Sequence, residues 1–329
     1  MLPVGDVVSL VVGLLALWIG ARSLVTGASA LASAAGVSAL VIGLTVVAFG
    51  TSSPEAVVST EAALEGRGDI AVGNVIGSNL FNIAVTLGVV AILSPFRVSQ
   101  TLIRRDAFAM AVSTVVAAGV LANGTASRLE GAILVALLVG YFGVLGAAIR
   151  ASSDTETPPL ASAEVDRPPR GGPPDEHAGA ELRPGRETVR VLVGLALLVV
   201  GGRVVIDSAV GVATAVGVSE WVIGATVVAA GTSLPEFVTS VVAARGDDVG
   251  IAAGNVIGSN VFNVLGVLGI AALVRPLAVD PAVVIALVWL TVLTAFATAV
   301  LATGRRLTRL EGIVLVALGA GYWIVSAAV

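Results

Sequence analysis

The sequence predicts an all-α integral membrane protein of ten transmembrane helices, built as two inverted five-helix repeats. Three observations lead there. Charge is scarce, apolar runs are long, and the second half of the chain repeats the first at one fixed offset.

Of the 329 residues, 57% are hydrophobic and only 12% are charged, with a mean hydropathy of +1.02. A water-soluble domain carries about a quarter of its residues as charges, because its surface needs them. Residues 7–20, 107–122, 131–149, 191–202, 282–302 and 312–328 form almost uncharged runs. Extended by adjoining Gly, Ser and Thr, several reach the roughly 20 residues that cross a bilayer. The lipid bilayer is therefore the first partner the sequence implies.

A net charge of −4 says little about other partners, since few charges face water. All 18 basic residues are arginine, and none form a stripe interleaved with aromatics, so no nucleic acid is expected as a partner. No obligate protein partner is evident. The absence of cysteine excludes disulfides and thiolate metal sites. The N-terminal stretch MLPVGDVVSLVVGLLALWIG lacks a basic start and a small-residue cleavage site, so it reads as a retained first span rather than a signal peptide.

Residues 151–187 break the apolar pattern with seven of the thirteen prolines, eight acidic residues, four arginines and the single histidine, His177. Such a stretch buries too little apolar surface to offset its ordering entropy, which predicts a disordered loop. It separates a first five-helix repeat (residues 1–150) from a second (residues 188–329).

The halves are copies. GLTVVAFGTSSPE at 43–55 matches GATVVAAGTSLPE at 224–236 in ten of thirteen positions, and GNVIGSNLFN at 73–82 matches GNVIGSNVFN at 254–263 in nine of ten. RLEG recurs at 128–131 and 309–312, and Arg22 pairs with Arg203, always 181 residues apart. The expected spans are 7–25, 37–64, 70–93, 105–122 and 128–149, then 189–207, 218–244, 249–273, 279–302 and 309–328. Five is odd, so the second copy enters the membrane upside down, as in many secondary transporters.

Arginine placement sets the expected orientation. With the N-terminus outside, fourteen arginines face inward and four (Arg67, Arg128, Arg203 and Arg275) face outward; without the long loop the count is eight against four. The positive-inside rule then puts both termini outside and the loop in the cytoplasm, most simply in the plasma membrane.

Each copy carries GTSxPE within a span. Proline there lacks an N–H and clashes with the carbonyl four residues back, so Pro54 should free the carbonyl of Gly50, and Pro235 that of Gly231. A break of this kind is tolerated in a membrane where it lines a cavity. Glu55 and Glu236 stand mid-span at equivalent positions, and a charge there costs about 2.5–3.5 kcal/mol on insertion scales, which marks both as functional. Thr51 and Ser52 precede Glu55 by four and three residues, on its side of a helix; Thr232 and Ser233 stand likewise to Glu236. The second motif adds Ser78 with Asn82 and Ser259 with Asn263, each pair four apart and on one face. Gly73, Gly77, Gly254 and Gly258 would let backbones approach closely. Two carboxylates, amide oxygens and hydroxyls form an all-oxygen set, which suits hard cations such as calcium and sodium.

Plainer readings stand beside these. Ser78 and Ser259 are either ligands or hydroxyls that bond back to their own helix. Glu61, Glu65 and Asp69 read as interfacial charges, Glu130 and Glu311 as helix-end charges. Asp207 has Thr26 as its counterpart, so the duplication does not support it as a ligand.

The two motifs resemble the signatures of the cation/calcium exchanger superfamily, in particular its prokaryotic sodium/calcium exchangers with two α-repeats, over essentially the whole chain. The resemblance implies a midplane cation site between the second, third, seventh and eighth spans. Its ligands would be Thr51, Ser52, Glu55, Ser78 and Asn82 from the first repeat, and Thr232, Ser233, Glu236, Ser259 and Asn263 from the second. The backbone carbonyls of Ala48 and Ala229 would face sodium. It further implies a non-enzymatic antiporter without a cofactor, which exchanges calcium for sodium by alternating access. Family members exchange about three sodium ions per calcium, and the one net charge moved is worth about 2.3 kcal/mol per 100 mV.

Some relatives carry Asp where this chain has Asn82 or Asn263, and that acid is tied to potassium, so potassium dependence is not expected. Proton-coupled exchangers typically carry an acid in the third-span motif, where this chain has Ser78 and Asn82; sodium coupling is therefore the expectation. The alternatives are a proton- or potassium-coupled exchanger and, from another class, a cation channel.

Overall fold

A computed structural model describes residues 4–97, 100, 102–153, 184–216, 229–281, 283–304 and 306–328. The chain is overwhelmingly helical. In order, the helices are α1 (Val4–Ala35), α2 (Ala39–Thr51), α3 (Ser53–Leu64), α4 (Gly68–Leu93), α5 (Phe108–Leu121) and α6 (Arg128–Ser153). The second half holds α7 (Pro184–Ala215), α8 (Leu234–Arg245), α9 (Val249–Val274), α10 (Val283–Gly304) and α11 (Arg309–Ala328).

Among the described residues, seven helices are long and apolar enough to cross a membrane, and the bent pair α2–α3 makes an eighth. The outer helices keep their apolar side chains exposed, as at Leu15, Leu129, Leu192 and Leu310. Exposed leucines in such density belong against lipid, not water. The chain is an integral membrane protein.

The expected loop at 151–187 lies for the most part outside the described residues, His177 included; α6 runs in to Ser153 and α7 starts at Pro184. Residues 217–228, which hold most of the expected seventh break-bearing span's first part, also lie outside them.

Contacts between the halves are exchanged in pairs. A Cβ on Gly20 of α1 would stand 2.9 Å from the Gly194 carbonyl of α7, and one on Gly194 would stand 2.8 Å from the Gly20 carbonyl. Gly13 and Gly201 face one another's carbonyls at 3.1 Å in the same way. Gly194 is the 181-residue counterpart of Gly13, and Gly201 that of Gly20. Each contact therefore has a partner contact with the halves interchanged, which is the mark of an approximate two-fold axis. Small residues let these membrane helices touch at backbone distance.

Two strand pairs, each two residues long, modify the all-α expectation. β1 (Phe96–Arg97) pairs antiparallel with β4 (Arg306–Leu307), and β2 (Thr125–Ala126) pairs with β3 (Leu277–Ala278). Adding 181 to β1 gives β3, and to β2 gives β4, so the same exchange holds here. Ser127 and Thr308 then start α6 and α11 as capping boxes, in which Glu130 and Glu311 accept from the cap residue's backbone N–H, each at 2.7 Å. The helix-end reading of both glutamates is what the structure shows.

At the centre lie α4 and α9, with 72% and 89% of their apolar windows buried, against 17–22% for α1, α6 and α11. Close approach is seen at two of the four glycines singled out in the sequence. A Cβ on Gly254 would meet the Leu40 carbonyl of α2 at 2.6 Å, and one on Gly258 the Leu44 carbonyl at 2.7 Å. The residues that the same offset would set against Gly73 and Gly77, Trp221 and Ala225, lie outside the described residues.

Candidate cation site

The GTSxPE motif does break the helix. α2 ends at Thr51, Ser52 leaves helical geometry (φ −83°, ψ 6°), and α3 departs at 44° with Pro54 in its first turn. Proline fits there because the first-turn N–H has no intrahelical partner in any case. Ser233 repeats the conformation (φ −89°, ψ 5°) ahead of Pro235 in α8.

The break overturns one detail of the sequence reading. Ser52 does not pair with Glu55 of its own helix. Its hydroxyl donates to Glu236 Oε1 at 2.9 Å, while Ser233 donates to Glu55 Oε1 at 3.2 Å. The i, i+3 argument assumed a continuous helix; once ψ at Ser52 leaves the helical range, the hydroxyl points at the opposite half. Each glutamate is thus held by a serine of the other repeat.

Both glutamates are fully buried, as are Ser52, Asn82, Ser233, Ser259 and Asn263. Among the described residues no arginine pairs with either carboxylate. Buried carboxylates lacking a counter-charge are costly, and a cation between them relieves that cost. Their remaining oxygens are free to receive one. Glu55 Oε2, Glu236 Oε2, Ser78 Oγ and the side-chain amides of Asn82 and Asn263 have no hydrogen-bond partner among the described residues. Buried polar atoms are almost always satisfied, so this concentration of orphans in one place points to a ligand. No group of three acidic or histidine side chains gathers among the described residues, so a cation would rest on two carboxylates and neutral oxygens.

Asn82 and Asn263 each open a π-helical stretch, Asn82–Leu87 and Asn263–Leu268. One wider turn at the same place in both repeats shifts the helix face there, a device common at functional sites. Ser78 stands beside the Glu55 carboxyl. Ser259 donates to the Ala48 carbonyl of α2 at 3.5 Å. Neither hydroxyl has a hydrogen bond to its own helix among the described residues. The Ala48 carbonyl lies among these groups, also 3.4 Å from Thr51 Oγ1. Ala229 begins the short helical turn Ala229–Gly231 before Ser233.

Sequence reasoning missed four residues that hold the site. Asn74 Nδ2 donates to the Glu55 carbonyl at 3.2 Å and to Ser59 Oγ at 2.9 Å; Asn255 does the same to Glu236 and Ser240 at the same two distances. Thr51 reaches Asn255 at 3.1 Å and Thr232 reaches Asn74 at 3.4 Å, again across the halves. The duplication could have found them: Asn74 with Asn255, and Ser59 with Ser240, obey the same 181-residue offset. A fifth missed group, Asp106, is buried away from the site and satisfied by Arg105 at 2.7 and 3.0 Å and by Tyr141 at 3.2 Å. Glu65 pairs with Arg67, Asp207 with Arg203 at 3.6 Å, and Asp69 accepts from the Asp280 backbone at 2.7 Å, all on exposed surface.

Comparison with known proteins gives one family. The profile of the sodium/calcium exchanger protein family matches residues 6–146 and again 187–327, two stretches that are themselves 181 residues apart. The inner membrane protein YrbG of Escherichia coli is 36% identical over 237 residues, 71% of this chain and 69% of its own. The sodium/calcium exchanger MaX1 of Methanosarcina acetivorans is 30% identical over 296 residues, 82% of this chain and 83% of its own. A solved structure of the sodium-calcium exchanger NCX_Mj, soaked with sodium and calcium, superposes with a TM-score of 0.81 at 29% identity, covering 100% of this chain and 99% of that one.

Proposed function

The chain belongs to the sodium/calcium exchanger protein family, and from that premise we propose that it is an antiporter exchanging calcium for sodium at the site between α2, α3, α4, α8 and α9. The observation that carries this reading is the crossed pair Ser52–Glu236 and Ser233–Glu55, with the outer oxygen of each carboxylate left free. Two negative charges match one calcium. Sodium, also a hard cation, suits the same neutral oxygens. The ligand set we propose is Thr51, Ser52, Glu55, Ser78 and Asn82 with Thr232, Ser233, Glu236, Ser259 and Asn263, and the carbonyls of Ala48 and Ala229.

The architecture proposed is ten spans in two inverted repeats, residues 1–150 and 188–329, joined by a cytoplasmic loop with both termini outside. The doubled family match and the exchanged contacts support the repeat; the arginine bias supports the orientation.

The test is calcium uptake into proteoliposomes driven by an outward sodium gradient, with potassium and proton gradients as controls. Sodium-driven uptake is expected; uptake that follows only the proton gradient would replace sodium as the coupling ion. Flux far above carrier turnover would replace the exchanger with a channel.

A further inference from the structure

The two asparagines that brace the glutamates also fix a proton. A side-chain amide has two N–H donors and one acceptor oxygen. Asn255 spends its donors on the Glu236 carbonyl and on Ser240 Oγ, at 3.2 and 2.9 Å. That choice sets which way the amide faces, and it leaves Oδ1 toward Thr51 Oγ1, 3.1 Å away. Oδ1 has no proton to give, so the threonine must be the donor.

A threonine hydroxyl has one proton and two lone pairs. Thr51 has a second acceptor within reach, the Ala48 carbonyl at 3.4 Å. When the proton goes to Asn255, the Ala48 carbonyl is released and the threonine oxygen keeps only lone pairs for the site. A hydroxyl whose proton pointed into the site would repel a cation. The mirrored set repeats the design: Asn74 donates to Glu55 and Ser59 and receives Thr232 at 3.4 Å.

We propose that Asn255 and Asn74 are positioning residues for cation binding, each drawing the proton of the opposite half's threonine out of the site so that its oxygen faces the cation as a pure acceptor. The inference rests on the cation site proposed above, and adds to it two residues that touch no ion. Each clamp joins an amide of one half to a threonine of the other.

The experiment uses the full chain, as proteoliposomes for flux and in detergent for thermal unfolding with NaCl or CaCl2 against choline chloride. Bound ion raises the unfolding temperature, so an affinity can be read without transport. Asn255→Ala is expected to raise the half-saturating sodium concentration on the order of tenfold, about 1.4 kcal/mol, with maximal flux per inserted protein much less changed. In a Thr51→Val background the same change should have no further effect. Ser240→Ala removes one of the two acceptors that orient the amide, so it should raise the half-saturating concentration less than Asn255→Ala does, and only while Thr51 is present. Equal losses with and without Thr51, for either change, would make the asparagine a structural brace only and overturn the proposal. Thr232 with Asn74 supplies a second cycle should either Thr51 variant fail to fold. If wild type shows no sodium-driven flux, sodium coupling fails, and the same cycles are read on calcium half-saturation in the unfolding assay.

Discussion

Ser52 of the first repeat and Glu236 of the second share a hydrogen bond of 2.9 Å across the centre of the molecule. Its mirror joins Ser233 to Glu55 at 3.2 Å. The site is therefore not two half-sites side by side. Each acid accepts a hydrogen bond from a serine of the opposite repeat.

That crossing has a testable signature in mutational coupling. Ser52→Ala should couple to Glu236→Gln and not to Glu55→Gln, although Glu55 lies three residues away in sequence. Residues in direct contact couple by about 0.5–3 kcal/mol, and independent ones add. The measurement is calcium-dependent thermal stabilisation of the four proteins in each cycle. Stronger coupling to Glu55 would restore the within-helix pairing that the helix break removes.

Backbone packing between α2 and α9 gives a second prediction. A Cβ on Gly258 would stand 2.7 Å from the Leu44 carbonyl and 2.8 Å from the Ala48 Cβ. Overpacking of that kind costs about 1–3 kcal/mol, and these atoms belong to backbone and to a short side chain with nowhere to move. Gly258→Ala should lower the unfolding temperature and impair transport. Gly140→Ala on α6, where no atom of the described residues lies within 4 Å, should leave both near wild type. Equal tolerance at both positions would refute the close contact.

Orientation is tested by labelling. The chain has no cysteine, so an introduced one is unique. Cysteine placed at Ser153, where α6 ends, should resist an impermeant thiol reagent in intact cells, and one placed at Ala328 should react. The reverse pattern would invert the topology while leaving the repeat intact.

Much of this was legible in the sequence because duplication labels what it preserves. The offset of 181 by itself marks both glutamates, both prolines and both asparagine motifs. What stayed hidden has physical reasons. The partner of Ser52 depends on ψ at one residue, which spacing arguments on a continuous helix cannot supply. Asn74 and Asn255 look like packing residues until their amides are seen facing the other half. The strand pairs are two residues long, too short to show alternation, and their partners lie about 150 or more residues away. Asp106 has Leu287 as its counterpart, so the offset that found the site could not find it.

In the proposed exchanger, Glu55 and Glu236 jointly neutralise the transported calcium. Glu55→Gln and Glu236→Gln each remove one of two formal charges from a site where water screens little. Membrane insertion should persist or improve, because an intramembrane charge is gone. Asn82→Ala and Asn263→Ala should weaken transport less, since each removes a neutral oxygen. The decisive measurement is sodium-driven calcium flux per inserted protein for the two glutamine variants. Loss of flux in both, with normal insertion, is the predicted result; near-normal flux in both would contradict the account.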